Sequence, residues 1–308
     1  FSASVLEAAP FSDAPVGGPY TVNTDVDDIS WDLSGTFALN DDVNLYARVA
    51  KGFRAPSVQG RLLFASAAAV AQNGGVSTAD SEEVLSWEAG IKAELWDRRA
   101  RLGFNVFRYD VDDQQIIAVG GGGNTATLLN ADKTRGQGFE LDLEAYLAEN
   151  LLVTLGSSYN DTEIQDADLA VPGCGGGCTV TDPETAPGSG LYLIDGNRLP
   201  QAPKWVHALT ARYAIPVGDG AEFYVYTDWA YRSEVDFFLY DSVEFTGKSM
   251  VEGGLRLGYL WNQGDYEVAL FGRNITDTVR VVGGIDFNNL TGFLNEPRTY
   301  GVEFTARF

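Results

Sequence analysis

The sequence predicts an all-β protein, a transmembrane antiparallel β-barrel contributing about eleven strands. Three observations carry this. Stretches of alternating apolar and polar residues recur along the chain, and the last of them, RTYGVEFTARF, runs to its end. The connections between these stretches alternate between tight turns and long loops. No run approaches the ~18 apolar residues that a spanning helix needs. A barrel escapes such windows because residues facing lipid and lumen alternate, which fits a mean hydropathy of −0.10. An edge strand of a soluble sandwich could imitate one such segment, but a sandwich has no reason to sort its connections by length.

Composition agrees. Of 308 residues, 12% are aromatic, 35 are Gly and only Met250 is methionine, a β-rich and turn-rich balance. The net charge of −22 argues against nucleic acid, whose phosphates demand a basic face. The opening FSASVLEAAP has neither Met nor the basic-then-apolar layout of a signal peptide, so the front reads as processed or incomplete.

Residues 1–26 show no sustained period and read as loop. The first strand carries Ile29, Trp31, Leu33 and Phe37 on one face; Asn40-Asp41-Asp42 turns it into a second, Val43 to about Phe53. A long connection containing LLFASAAAVA reads as a short helix or packed loop. The third strand sets Leu85, Trp87, Ala89 and Ile91 against Ser86, Glu88, Gly90 and Lys92. The fourth, about Ala100 to Val119, loses its alternation near Arg108, where a bulge is expected. A loop at GGGGN leads to the fifth strand, with Phe139, Leu141 and Leu143 opposite Glu140, Asp142 and Glu144. Leu151, Val153 and Leu155 mark the sixth, before a connection from about Glu163 to Pro203. Trp205 to Ile215 and Phe223 to Tyr231 form the next pair, then Val251 to Trp261 and Tyr266 to Leu270, and the terminal strand closes the series.

Charges on the polar faces, such as Glu88, Lys92, Glu140 and Arg256, would cost roughly 2–4 kcal/mol each against lipid, so they face inward. Trp96, Tyr146, Tyr213, Tyr259 and Trp261 adjoin the short turns, where an interfacial girdle belongs. An odd count with two open edges implies one part of a larger barrel, because hydrocarbon cannot satisfy an exposed edge.

The run YARVAKGFRAP at Tyr46–Pro56 resembles a characteristic box of TonB-dependent outer-membrane receptors. RNITD at Arg273–Asp277 and the terminal strand ending in Phe308 resemble that family's carboxyl end, and SVQGRLLF and NADKTRGQGFELDLE are similar to large receptors of proteobacteria. The resemblance covers residues 27–308 and implies the carboxyl-terminal half of a 22-stranded plugged barrel in the outer membrane of a Gram-negative bacterium. It also implies partners: an amino-terminal half barrel with a plug domain, the TonB energy-transducing complex, the barrel-assembly machinery, and outer-membrane lipid and lipopolysaccharide. The implied activity is energy-coupled import of a siderophore, vitamin, saccharide or similar nutrient. The alternatives are a passive porin and a barrel-anchored surface scaffold.

Candidate sites follow. Arg48, Lys51, Arg54 and Arg61 flank the first long loop and are candidate contacts for an anionic ligand; pairing with lumenal acids or lipopolysaccharide phosphates is the commoner use of such residues. Cys174 and Cys178 bracket CGGGC. With only His207 to assist, zinc is disfavoured and a loop disulfide is expected, contributing about 2 kcal/mol. Asn160, Asp161, Glu163, Asp166 and Asp168 lack the spacing of a calcium loop and read as solvated acids. His207 shares a face with Trp205 and Leu209, which suits a membrane interface. The resemblance implies that Tyr300, Phe304 and Phe308 serve as an assembly signal. No nucleophile elbow or phosphate-binding loop appears, so neither an enzyme nor a cofactor is expected.

Overall fold

A computed structural model describes residues 2–5, 20–59, 77–120, 125–218, 220–286 and 289–307. Eleven strands form one antiparallel sheet, a meander in which each pairs with its sequence neighbours. We number them β1 (Trp31–Ala38), β2 (Val43–Arg54), β3 (Glu82–Leu95), β4 (Ala100–Gly120), β5 (Thr125–Ala148), β6 (Leu151–Ile164), β7 (Trp205–Pro216), β8 (Glu222–Arg232), β9 (Met250–Trp261), β10 (Tyr266–Arg273) and β11 (Thr299–Ala306). β1 and β11 are the two edges of the sheet, which stays open.

Register turns the alternation within each strand into two chemically distinct surfaces. Ala93 lies opposite Leu102, then Leu143, Leu155, Leu209 and Trp229 across successive strands, so one face is an unbroken apolar wall. Large side chains on this face stand outward: Leu33 is 71% exposed, Leu270 55% and Val302 69%. Such exposure is untenable in water over this area and natural in lipid. The other face carries Glu88, Lys92, Asp142 and Arg256, as alternation requires.

Aromatic residues bound the apolar wall at both ends. Near the short turns Tyr259, Trp261 and Tyr266 stack at 5.8 and 5.5 Å. At the opposite end Phe139, Tyr159, Trp205, His207 and Tyr231 form a row of rings with centroids 4.8–6.0 Å apart. Tyr146, expected in the girdle, lies instead on the other side of the pleat, opposite Leu152. Plain alternation puts it there, in step with Asp142 and Glu144, and the register shift between Leu151 and Leu152 comes only after it, at the tight turn.

Rings on the polar face lie across glycines of the adjacent strand. A Cβ on Gly136 would sit 2.1 Å from the Tyr109 ring, and one on Gly258 would sit 2.2 Å from Tyr224. Glycine is needed there for space, because the ring occupies the volume of the missing side chain.

Three expectations are corrected. There is no bulge at Arg108: pairing runs in one register from Ala100 opposite Ala145 to Gly120 opposite Thr125. Alternation fails there because the outer face turns polar beyond Val106, where Arg108 pairs with Asp110 at 3.2 Å. Second, β4 and β5 run on for 21 and 24 residues, far beyond the ~9–11 that cross a bilayer. The expected long loop after the fourth strand is thus a projecting hairpin, joined across 121–124, which lies outside the described residues. Third, the segment 1–26 contains an antiparallel pair, Ser2–Val5 with Tyr20–Asn23, too short to show a period. The LLFASAAAVA stretch lies outside the described residues.

The two surfaces make opposite predictions for one kind of substitution. Leu257→Arg, on the apolar wall, should destabilise by about 2–4 kcal/mol, whereas Asp142→Arg, exposed on the polar face, should change little. Urea unfolding in lipid vesicles, followed by tryptophan fluorescence, measures both. Equal effects would contradict the assignment of faces.

Candidate functional site

The polar face forms a concave wall with several hollows, two of which are lined by β2 to β6. The larger, about 920 Å3, lies near the short turns and is lined by Lys92, Glu94, Arg98, Arg101, Asp142 and Glu144. The smaller, about 370 Å3, lies higher, among Arg48, Glu88, Asn105, Phe107, Tyr109 and Glu140. Charges on this face are cross-linked between strands. Arg256 on β9 donates to Tyr224 Oη on β8 at 2.7 Å, to Glu267 on β10 at 2.7 Å and to Glu303 on β11 at 3.2 Å. Four strands are thereby clamped at one lumenal point, with the guanidinium fork matching the carboxylates.

Pleating divides the basic residues singled out in the sequence. Arg48 faces the lumen and pairs with Asp32. Arg54 shares that face, opposite Glu82. Lys51 points to the other side, 3.0 Å from both Asp28 and Glu83. Arg61 lies outside the described residues. The structure therefore brings Arg48 and Arg54 onto one surface and removes Lys51 from it.

The remaining candidates separate in the same way. Asn160 faces the lumen, Asp161 faces outward to Lys204 at 2.6 Å, and Asp166 accepts backbone N–H groups from Asp132 and Asp168. Among the described residues no cluster of His, Cys, Asp or Glu is arranged to hold a metal ion. His207 sits in the outer aromatic row, its Nδ1 2.8 Å from Ser157 Oγ. Tyr300 and Phe304 stand on the outer face of edge strand β11, opposite Gly272 and Val268; Phe308 lies outside the described residues.

Cys174 and Cys178 are joined by a disulfide, and the loop they close belongs to a structure that sequence reasoning missed. The long connections are not independent loops. They meet over the end of the sheet remote from the tight turns and build a cap with its own core. Ile116 and Ala131 come from the projecting β4–β5 hairpin, Ile164 from the end of β6, Val171 and Ile194 from the 165–204 connection, and Phe237, Tyr240 and Phe245 from the 233–249 connection. Short antiparallel pairs stiffen it: Ala170–Pro172 with Leu191–Leu193, Val235–Asp236 with Thr246–Gly247, and Val281–Asp286 with Leu290–Leu294. The run VDFFLYDSVEF at 235–245 was the available signal, since a solvated loop has no use for that apolar density.

Polar groups inside the cap are also shared between connections. Asp286, 1% exposed, accepts from Tyr240 Oη at 2.8 Å and from the Gly175 N–H, within the disulfide loop, at 2.9 Å. Asp182 accepts from Asn197 Nδ2 at 2.9 Å and from the Asp241 N–H at 2.7 Å. Burial, then the charges of Asp236 and Asp182, push the Asp241 carboxyl up to about 6. Burial also raises Asp182 and Asp286.

Comparison with known proteins gives a consistent picture. Residues 10–249 match the family described as TonB dependent receptor-like, beta-barrel. A probable TonB-dependent siderophore receptor, PiuA of Acinetobacter baumannii, is 25% identical over 156 residues, covering 49% of this chain and 18% of that protein. The ferric yersiniabactin uptake receptor FyuA of Yersinia pestis superposes with a TM-score of 0.69 at 18% identity, over 94% of this chain and 39% of that one. The solved structure of PiuA superposes with a TM-score of 0.64, also at 18% identity, over 93% of this chain and 36% of that one. The chain thus spans less than two-fifths of the length of these relatives.

The raised acids make the cap sensitive to pH with a definite sign. Asp241 has an ordinary value of 3.8 and a folded value of about 6, so the folded cap binds its proton more tightly than the unfolded segment does. Stability is then fully present below 3.8 and is lost as pH rises through about 6. Hydrogen exchange at 235–247, corrected for intrinsic rates, should show stronger protection at about pH 5 than at about pH 7.5. Asp241→Asn should flatten that difference. Weaker protection at the lower pH would contradict the assignment.

Proposed function

Since the chain belongs to the TonB-dependent receptor-like β-barrel family, we propose that it forms part of the wall of a receptor importing a scarce nutrient by energy-coupled transport. The family is one of receptors rather than enzymes, and its place is the outer membrane of Gram-negative cells. The observation that carries the reading is the combination of a lipid-facing wall, a charged concave face and a folded cap over one end only. The cap would lie outside the cell and meet the ligand; the tight turns would face the periplasm.

The open edges of β1 and β11 support a larger closed barrel, because unpaired backbone groups in hydrocarbon cost several kcal/mol each. On this reading residues 27–308 supply its carboxyl-terminal half, and 1–26 belong to an extracellular connection. The partner is an amino-terminal half of comparable strand number, with a plug filling the lumen against the charged lower hollow. The TonB complex would draw on the inner-membrane proton gradient to displace that plug. Arg48 and Arg54, which share the lumenal face, would be the members of the basic set to meet an entering ligand. Contact of the apolar wall with outer-membrane lipid, and of basic residues above it with lipopolysaccharide, follows from the same orientation. The names of the relatives point to ferric siderophores as one substrate class, and vitamins and saccharides are others.

Energy coupling separates this reading from a passive channel. Uptake of the native ligand into whole cells should cease on dissipating the proton gradient or deleting the TonB protein, while surface binding persists. Uptake unchanged by both treatments would favour a porin; binding with no uptake at all would favour a surface scaffold.

The closing strand carries a second test. Tyr300, Phe304 and Phe308 are proposed to be read by the barrel-assembly machinery. Deleting Phe308 should lower the amount of receptor in the outer membrane several-fold and leave the affinity of the assembled fraction unchanged. Normal abundance would count against that role.

A further inference from the structure

The apolar residues of the cap are not buried evenly. Among the described residues, the 165–204 and 233–249 connections each leave one large apolar side chain exposed, Leu191 and Val243. The 274–298 connection leaves five: Val279, Ile285, Leu290, Phe293 and Leu294, each 44–62% exposed. That connection joins β10 to β11, so it is the one beside the open edge of the sheet. Apolar cover therefore runs out on the side where the sheet itself stops.

Most of this surface lies on the hairpin of Val281–Asp286 with Leu290–Leu294. One side of the hairpin is taken. A Cβ at Gly284 would sit 2.6 Å from the Phe245 ring, and Asp286 accepts from Tyr240 at 2.8 Å, so that side packs on the 233–249 connection. By alternation Gly283, Ile285 and Phe293 turn to the opposite side, away from 233–249 and towards the open edge. Phe293 lies over Gly283, whose Cβ would meet the ring at 3.6 Å, and Ile285 stands next to it. Leu290 and Leu294 alternate to the packed side yet stay exposed, so the apolar surface wraps the second strand of the hairpin.

The level of the hairpin rules out hydrocarbon as its cover. Arg280 Nε donates to the Ser249 carbonyl at 3.2 Å, and Arg232 donates to that of Val281 at 3.4 Å. The hairpin thus springs from the outer ends of β8 and β9, beside Tyr231 of the outer aromatic row, and rises beyond it. Apolar surface above that row meets water or lipopolysaccharide sugar, and neither suits it. Flanking cations are already used: Arg298 pairs with Asp277 at 3.2 Å, and Arg280 donates to backbone carbonyls. Neither calls for a carboxylate on a partner.

We infer that this hairpin is a docking surface for an apolar, uncharged extracellular segment of the amino-terminal half of the receptor, which completes the cap core across the seam at β11. The inference rests on the half-barrel reading above. Continuity favours this occupant: directly below, β11 must ladder with a strand of that same half, so the edge and the hairpin form one interface. This chain covers 39% and 36% of two solved relatives, which leaves most of a receptor of that length to supply the segment.

The test uses the native receptor carrying this chain, in the outer membrane of whole cells. Ile285 and Phe293 are replaced singly by the photoreactive residue p-benzoylphenylalanine, and cross-linked receptor is digested and mapped by mass spectrometry. Both positions should join residues of an extracellular connection in the upstream half. In parallel, Phe293→Cys should react with a membrane-impermeant maleimide at least tenfold more slowly in the folded receptor than after heat denaturation. Each variant should keep the gel mobility shift on heating that marks an intact barrel. Where one loses it, the same replacement at Leu294 takes its place.

Absence of upstream cross-links from both positions overturns the inference, whether they join lipid, lipopolysaccharide, a second copy, another protein or nothing. Labelling of the folded receptor as fast as of the denatured chain does the same. Failure of the underlying reading looks different. Peptide mapping of the purified receptor that finds no upstream barrel half removes the half-barrel reading itself. Upstream peptides in equal amount, with cross-links that go elsewhere, leave that reading standing and remove only the docking surface.

Discussion

Everything in this protein follows from the backbone hydrogen bond in a medium without water. In hydrocarbon an unpaired N–H or C=O has nothing to turn to, so each strand must be laddered on both sides. A meander meets that demand with the least chain, and the eleven strands adopt one. Once the ladder is in place, pleating assigns every side chain to lipid or lumen, and a one-residue slip would exchange the two sets. The shift between β5 and β6 falls between Leu151 and Leu152, beside a tight turn, so only the last pair of that ladder lies beyond it.

Where the hydrocarbon stops, the constraint is lifted and the architecture changes character. β4 and β5 continue outward with Arg108, Asp110, Lys133 and Arg135 on the face that carried Val106 and Phe139 lower down. Beyond them the long connections pool their apolar residues into one core and bury carboxylates that would be costly if any single connection left. Tyr240, Asp286 and the disulfide loop bind the 165–204, 233–249 and 274–298 connections into a single body. Connections joined in this way are ordered together, whereas separate loops would have to be ordered one by one at an entropic cost.

How much of this was legible depended on which force shaped each part. The membrane wall was legible because period two is imposed residue by residue: Leu255, Leu257 and Tyr259 against Arg256 and Gly258 read directly as two faces. Lumenal pairings such as Arg256 with Glu303, from residues 47 apart in sequence, were not, because partner choice depends on register across strands. Arg48 and Lys51 looked like neighbours in one basic set, yet three residues along a strand is an odd step and puts them on opposite faces. The cap was the largest omission. Its core is assembled from residues such as Ile116, Ile194 and Phe245, which come from three connections and share no local period.

The division of the sheet between two solvents is measured most directly along β9. Nitroxide labels placed singly at successive positions from Val251 to Tyr259, in the native protein in bilayers, report collisions with membrane-soluble oxygen and with a water-soluble nickel chelate. Oxygen accessibility should peak at 251, 253, 255, 257 and 259, and nickel accessibility at the positions between, in a strict period of two. A profile in which both reagents rise and fall together, or in which oxygen shows no alternation, would mean that this surface does not face lipid.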